Sequence, residues 1–68
     1  MSLGEKIRAR RLELGLDQLD VAQRLDVAQS SVCDWEKGNM RPGRARLPEI
    51  AKVLRIPVRK ITSWWLAV

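Results

Sequence analysis

The sequence predicts an all-α fold, one domain of five short helices spanning residues 1–68. Three observations carry this. Apolar residues recur at spacings of three and four, and no segment alternates convincingly with period two. Helix-starting residues (Ser2, Asp17) and helix-stopping residues (Gly15, Gly38) follow one another along the chain. A chain of 68 residues has room for one core and no more.

The first helix is expected over roughly 3–14. Ser2-Leu3-Gly4-Glu5 has the form of a capping box, in which the hydroxyl accepts from the Glu5 amide and the carboxylate reaches back. Leu3, Ile7, Leu12 and Leu14 supply a rough apolar face, and Gly15 suits a left-handed stop. Asp17 caps a second helix over roughly 18–25, with Asp20 near its positive end and Leu19, Ala22 and Leu25 facing inward. Asp26-Val27-Ala28 is long enough only for a tight turn. A third helix follows over roughly 29–37 and stops at Gly38. The stretch GNMRPG (38–43) is a loop. Leu47, Ile50, Ala51 and Leu54 mark a fourth helix over roughly 45–54, with Pro48 tolerable only in its first turn. Pro57 breaks the chain, and Val58, Ile61, Trp64 and Trp65 mark a short fifth helix.

The charge is unevenly spread. Residues 1–15 carry Lys6, Arg8, Arg10 and Arg11 against Glu5 and Glu13, a net +2. Residues 16–38 carry Arg24 and Lys37 against Asp17, Asp20, Asp26, Asp34 and Glu36, a net −3. Residues 39–68 carry seven cations against Glu49, which gives +6 and brings the chain to +5. Two basic flanks around an acidic middle make a polyanion the obvious partner, although small domains are often modestly basic. One cysteine and no histidine leave no metal site of the usual kinds, no internal disulfide and no catalytic constellation. The expectation is therefore no cofactor, no metal, no small-molecule substrate and no enzyme activity. No apolar run approaches the roughly 18 residues of a membrane span, so no membrane partner is expected.

Two short helices joined by a three-to-four-residue turn form a helix-turn-helix unit, here residues 18–37. The matching segments are R-x-R-R-L-E-L-G-L (8–16), D-Q-x-x-V-A-x-x-L (17–25), Q-S-S-V-x-x-W-E-x-G (29–38) and L-P-E-I-A-K-V-L (47–54). In that order and spacing, over about residues 3 to 63, the chain resembles the lambdoid phage repressor and Cro-type helix-turn-helix family. The resemblance implies a lambda-repressor-like DNA-binding domain. Its function would be a sequence-specific transcriptional regulator of phage or prophage repressor or Cro type, working in the bacterial cytoplasm at the nucleoid. It also implies that Arg11 and Glu36 tie the first helix to the end of the third; otherwise they are two solvated charges. Asp26 stands where the family usually has glycine, at a turn position that often needs positive φ.

If the third helix is a recognition helix, Val32 and Trp35 are committed to the core. Gln29, Ser30, Cys33 and Asp34 then face base edges in the major groove. Glutamine pairs with adenine, serine serves several bases, and a carboxylate accepts from cytosine N4. Asp34 would therefore select rather than attract. Its alternative is an exposed solubility charge, and that of Cys33 is a small filler at the core edge. Phosphate contacts fall to Gln18, where the family places one, and to Arg41, Arg44 and Arg46, where similar proteins grip the backbone, with Lys37 and Arg10 as weaker candidates.

Family members dimerise, which places two recognition helices about 34 Å apart on a pseudo-palindromic operator. The stretch from Ile61 through Trp64 and Trp65 to Val68 is apolar for a chain end. Two adjacent tryptophans are not expected both to point inward. A weak homodimer through Ile61, Trp64 and Trp65, assembled on double-stranded DNA, is the expectation. The alternative is that both tryptophans wrap the core edge. The rival function is an antitoxin-like protein-interaction module on the same fold.

Overall fold

A computed structural model describes residues 1–67. Its helices are α1 (Leu3–Glu13), α2 (Gln18–Leu25), α3 (Gln29–Lys37), α4 (Leu47–Leu54) and α5 (Val58–Leu66), with a 3₁₀ turn, Arg44–Arg46, leading into α4. No strand occurs among the described residues. α3 packs against both α1 and α2, α4 against α2, and α5 closes the end over α4 and α1. The core is Ile7, Val21, Ala22, Leu25, Val32, Trp35, Leu47, Ile50, Ala51, Leu54 and Ile61.

The helix starts follow the local code. Ser2 and Glu5 form the capping box, with Ser2 N donating to Glu5 at 3.0 Å and Glu5 N to Ser2 Oγ at 3.2 Å. The bond from the Ser2 amide holds the Glu5 carboxyl below its ordinary value. This small contribution is present above that value and is lost as pH falls through the lowered one. Asp17 and Asp20 make a second capping box at α2. α3 starts at Ala28 with no side-chain cap, and Pro48 sits in the first turn of α4.

Four helices end alike. Gly15, Asp26, Gly38 and Arg55 all have φ between 54° and 81°. The next amide then closes onto a carbonyl five residues back: Leu16 to Arg11, Val27 to Ala22, Asn39 to Asp34 and Ile56 to Ala51. Leu16, Val27 and Ile56 pack against the core, as this type of stop favours. Asp26 therefore adopts the left-handed turn geometry expected where the family has glycine. Arg55 does the same without the small polar side chain that makes the region tolerable. Arg55→Gly is expected to raise stability by about 0.5–1 kcal/mol, since relief of the Cβ clash exceeds the extra chain entropy of glycine. Urea denaturation decides this; an unchanged or lower midpoint means Arg55 carries no such strain.

Two apolar assignments need correction. Leu12 is 51% exposed and Leu19 is 46% exposed. At about 100° per residue, Leu12 lies roughly 140° from Ile7, while Arg11 lies only about 40° away and takes the inward place. In α2, Val21, Ala22 and Leu25 share the buried arc, and Leu19 falls outside it.

Candidate nucleic-acid interface

α3 is held by one side and open on the other. Val32, Trp35 and Glu36 are buried. Gln29 and Ser30 are exposed, and Cys33 and Asp34 are half-buried. With about 100° per residue, these four span an arc of roughly 140°, and exposed Lys37 continues it one turn on. The expected reading face thus exists as a surface.

The clamp behind that face is ionic. Arg11 Nε donates to Glu36 Oε2 at 2.7 Å, and Arg11 Nη2 to Oε1 at 2.9 Å. Arg11 Nη1 donates to the Leu16 carbonyl at 2.8 Å, and Gln18 Nε2 to Glu36 Oε1 at 3.1 Å. The fork of a guanidinium matches a carboxylate, so both charges are satisfied in a buried position. The Glu36 hydrogen bonds hold the Arg11 guanidinium above its already high ordinary value, so it stays charged. The two sidedness constraints agree: the charge pair faces the core with Val32 and Trp35, and the polar face is left for solvent.

The positions of the other expected contacts are mixed. Gln18 is half-buried, with one amide proton engaged on Glu36. Arg41 and Arg44 are exposed and Arg46 is half-buried, around the turn that follows α3. Arg10, expected at a phosphate, has another role. Its Nε donates to the Leu54 carbonyl at 2.9 Å and its Nη2 to the Arg55 carbonyl at 3.3 Å. A cation there satisfies the last carbonyls of α4 and opposes that helix's negative end. Its third contact is an ion pair with Glu13 at 3.6 Å.

The expected dimer contacts also need correction. Ile61 is 0% exposed and belongs to the core, so it lies on no interface of this fold. Trp64 and Trp65 are both half-buried against the core. They sit three and four residues after Ile61, about 60° to one side and 40° to the other, so both flank the buried line of α5. Val68, part of the expected apolar end, lies outside the described residues. The tryptophans line an apolar groove of about 340 Å³ together with Leu3, Gly4, Trp35 and Met40.

Three features were not anticipated. Gly4 marks a close approach of α1 to α3: a Cβ built there would lie 2.2 Å from the Trp35 carbonyl oxygen and 2.6 Å from that of Glu36. The hint was a glycine inside a helix with no turn to make, which costs stability unless something demands it. The second is the capping of α4 by Arg10, for which no local signal exists. The third is the contact between Trp65 and the loop that carries Arg41.

Comparison with known proteins agrees with this geometry. The family model described as Helix-turn-helix matches residues 7–61. An uncharacterized transcriptional regulator in the ATPase CF(0) region of Rhodospirillum rubrum is 38% identical over 56 residues, which cover 82% of this chain and 52% of that protein. The HTH-type transcriptional regulator DicA of Escherichia coli is 36% identical over 55 residues, 81% of this chain and 41% of that protein. The chain thus spans about half the length, or less, of these curated relatives. Among solved structures, the P22 c2 repressor in complex with a synthetic operator superposes with a TM-score of 0.82 at 26% identity, over 90% of this chain and 92% of that one. The N-terminal DNA-binding domain of SinR from Bacillus subtilis shares the fold, with a TM-score of 0.77 at 24% identity over 88% of each chain. With its five-helix fold, its left-handed turn at Asp26 and its Arg11–Glu36 clamp, the chain belongs to the helix-turn-helix family in its lambda-repressor-like form.

Proposed function

We propose that this chain is the DNA-binding unit of a transcriptional regulator of repressor or Cro type, and that it reads a pseudo-palindromic operator through the major groove. The observation that carries the reading is the two-sided α3. Its buried side is fixed by Val32, Trp35 and the Arg11–Glu36 pair, and its open side presents Gln29, Ser30, Cys33 and Asp34. A rigid helix with short polar side chains on one face suits base-edge recognition. Similarity to a repressor solved on its operator supports the same reading.

Gln29 and Ser30 lead the contact, and Asp34 accepts from an exposed cytosine amino group. Lys37, Arg41, Arg44 and Arg46 grip phosphates, and Gln18 adds its remaining amide proton at the start of α2. Two copies assemble on the duplex through the exposed side of α5, which carries Val58 and Leu66.

The test is a selection from random duplexes, followed by two variants that separate reading from gripping. The enriched site should be pseudo-palindromic, with half-site centres about 34 Å apart. Gln29→Ala should weaken binding to that site by about 1–3 kcal/mol and leave random DNA nearly unaffected. Arg44→Ala should weaken both alike and lower the salt slope by about one. Equal losses on both DNAs for Gln29→Ala would remove its base-reading role, and retained binding with no enriched sequence would reduce the chain to a nonspecific binder.

A further inference from the structure

The segment Gly38–Gly43 carries Arg41 and leads directly to Arg44, but it has no regular structure to hold it. One side chain of α5 does so. Trp65 Nε1 donates to the Pro42 carbonyl at 2.8 Å, across 23 positions of sequence. The Arg41 guanidinium carbon lies 4.1 Å from the centre of the Trp65 ring, well within cation–π range. Arg41 Nη2 also donates to the Trp65 carbonyl. The Arg44 guanidinium stands 6.0 Å from the same ring, at the edge of that range. Pro42, between the two arginines, is buried. A single indole therefore holds the backbone of the loop by one edge and its leading arginine by one face.

Stacking fixes the plane of a guanidinium without consuming its in-plane donors. Arginine has five N–H groups, and the Trp65 carbonyl takes one of them. The rest remain for an anion beside the ring, and Arg41 is exposed. A free arginine would lose its rotamer freedom on binding, whereas this one has already lost it on folding. We propose that Trp65 is a positioning residue for the DNA backbone: it sets Arg41, and through Pro42 the whole loop, in the geometry that grips a phosphate. This rests on the DNA-binding reading above and adds to it a role for α5 that the helix-turn-helix itself does not supply.

A double-mutant cycle tests it, with each variant confirmed folded by circular dichroism at the assay temperature. Trp65→Ala and Arg41→Ala should each weaken binding about tenfold, on selected and random duplexes alike. Each should make the salt dependence shallower by the equivalent of about one phosphate. The double variant should bind no more weakly than Arg41→Ala alone. Trp65→Phe, which keeps a ring but loses the bond to Pro42, should fall between wild type and Trp65→Ala, and it carries the cycle if the alanine variant does not fold. A folded Trp65 variant with wild-type affinity and slope overturns the proposal. So do losses that multiply in the double variant, or an Arg41→Ala that binds like wild type. Failure of the underlying reading is seen separately, because wild type would then bind no duplex even at low salt, and the proposal falls with it.

Discussion

Glu36→Ala is expected to destabilise the domain by about 3–5 kcal/mol, the range for a buried ion pair that loses one partner. Arg11 would keep only its bond to the Leu16 carbonyl and would remain charged where its residue is 6% exposed. Gln18 would lose its acceptor at the same time. In a domain of 68 residues that loss is most of the total stability, so the variant should be largely unfolded at 37 °C. The melting temperature should fall by roughly 12–40 °C, at about 4–8 °C per kcal/mol for a domain of this size. The large figure measures the stranded charge and not the value of the pair. Replacing both partners by apolar residues of similar volume should therefore recover most of the loss. Thermal and urea unfolding of the single and double variants check both statements. A single-variant loss under about 1 kcal/mol, typical of an exposed pair, would mean that the clamp between α1 and α3 contributes little.

Gly4→Ala has the second largest expected effect, and its sign separates two forces. Helix propensity alone favours the change by about 1 kcal/mol, because alanine is the better helix former. Sterics oppose it. The new methyl would sit 2.2 Å from one carbonyl oxygen and 2.6 Å from the next, both in the backbone of α3's last turn. Neither atom can swing away as a side chain would, so α1 must lift from α3. Overpacking of this kind costs about 1–3 kcal/mol and occasionally more. With backbone on the receiving side the cost is expected at or above the top of that range, about 3–4 kcal/mol, which leaves a net loss of about 2–3 kcal/mol. Urea denaturation midpoints at constant m-value decide the sign. A stabilised Gly4→Ala would show that the two helices are not held at this separation.

Both effects act on α3, the helix that presents Gln29 and Ser30. Its outer face is exposed and polar, so its position depends on what lies behind it: the Arg11 fork at one point and the bare backbone of Gly4 at another. Partial loss of either contact should loosen the presentation of the face before the domain unfolds, because α3 packs against α1 as extensively as against α2.

Much of this was legible in the sequence because it is local. Ser2 and Asp17 begin helices through bonds to residues three positions away. Gly15 and Gly38 end them through φ values that glycine adopts freely. The order of helices, the three-residue turn at Asp26 and the polar face of α3 follow from signals within one or two turns of chain. The Arg11–Glu36 contact spans 25 residues, and its two positions stood out through resemblance to a family, not through any local rule. What only the tertiary structure decided concerns direction across such distances. Arg11 shares the side of Ile7 by helical spacing, but only the packing of α3 supplies the carboxylate that lets a cation be buried there. Arg10 turns from the solvent to the open carbonyls of α4, 44 residues on. Trp64 and Trp65 both find cover because they straddle Ile61 on a helix lying at the core's edge. Periodicity tells which residues share a face, but a face acquires its meaning only from the helix packed against it, and the angle and separation of two helices are set by all their contacts at once.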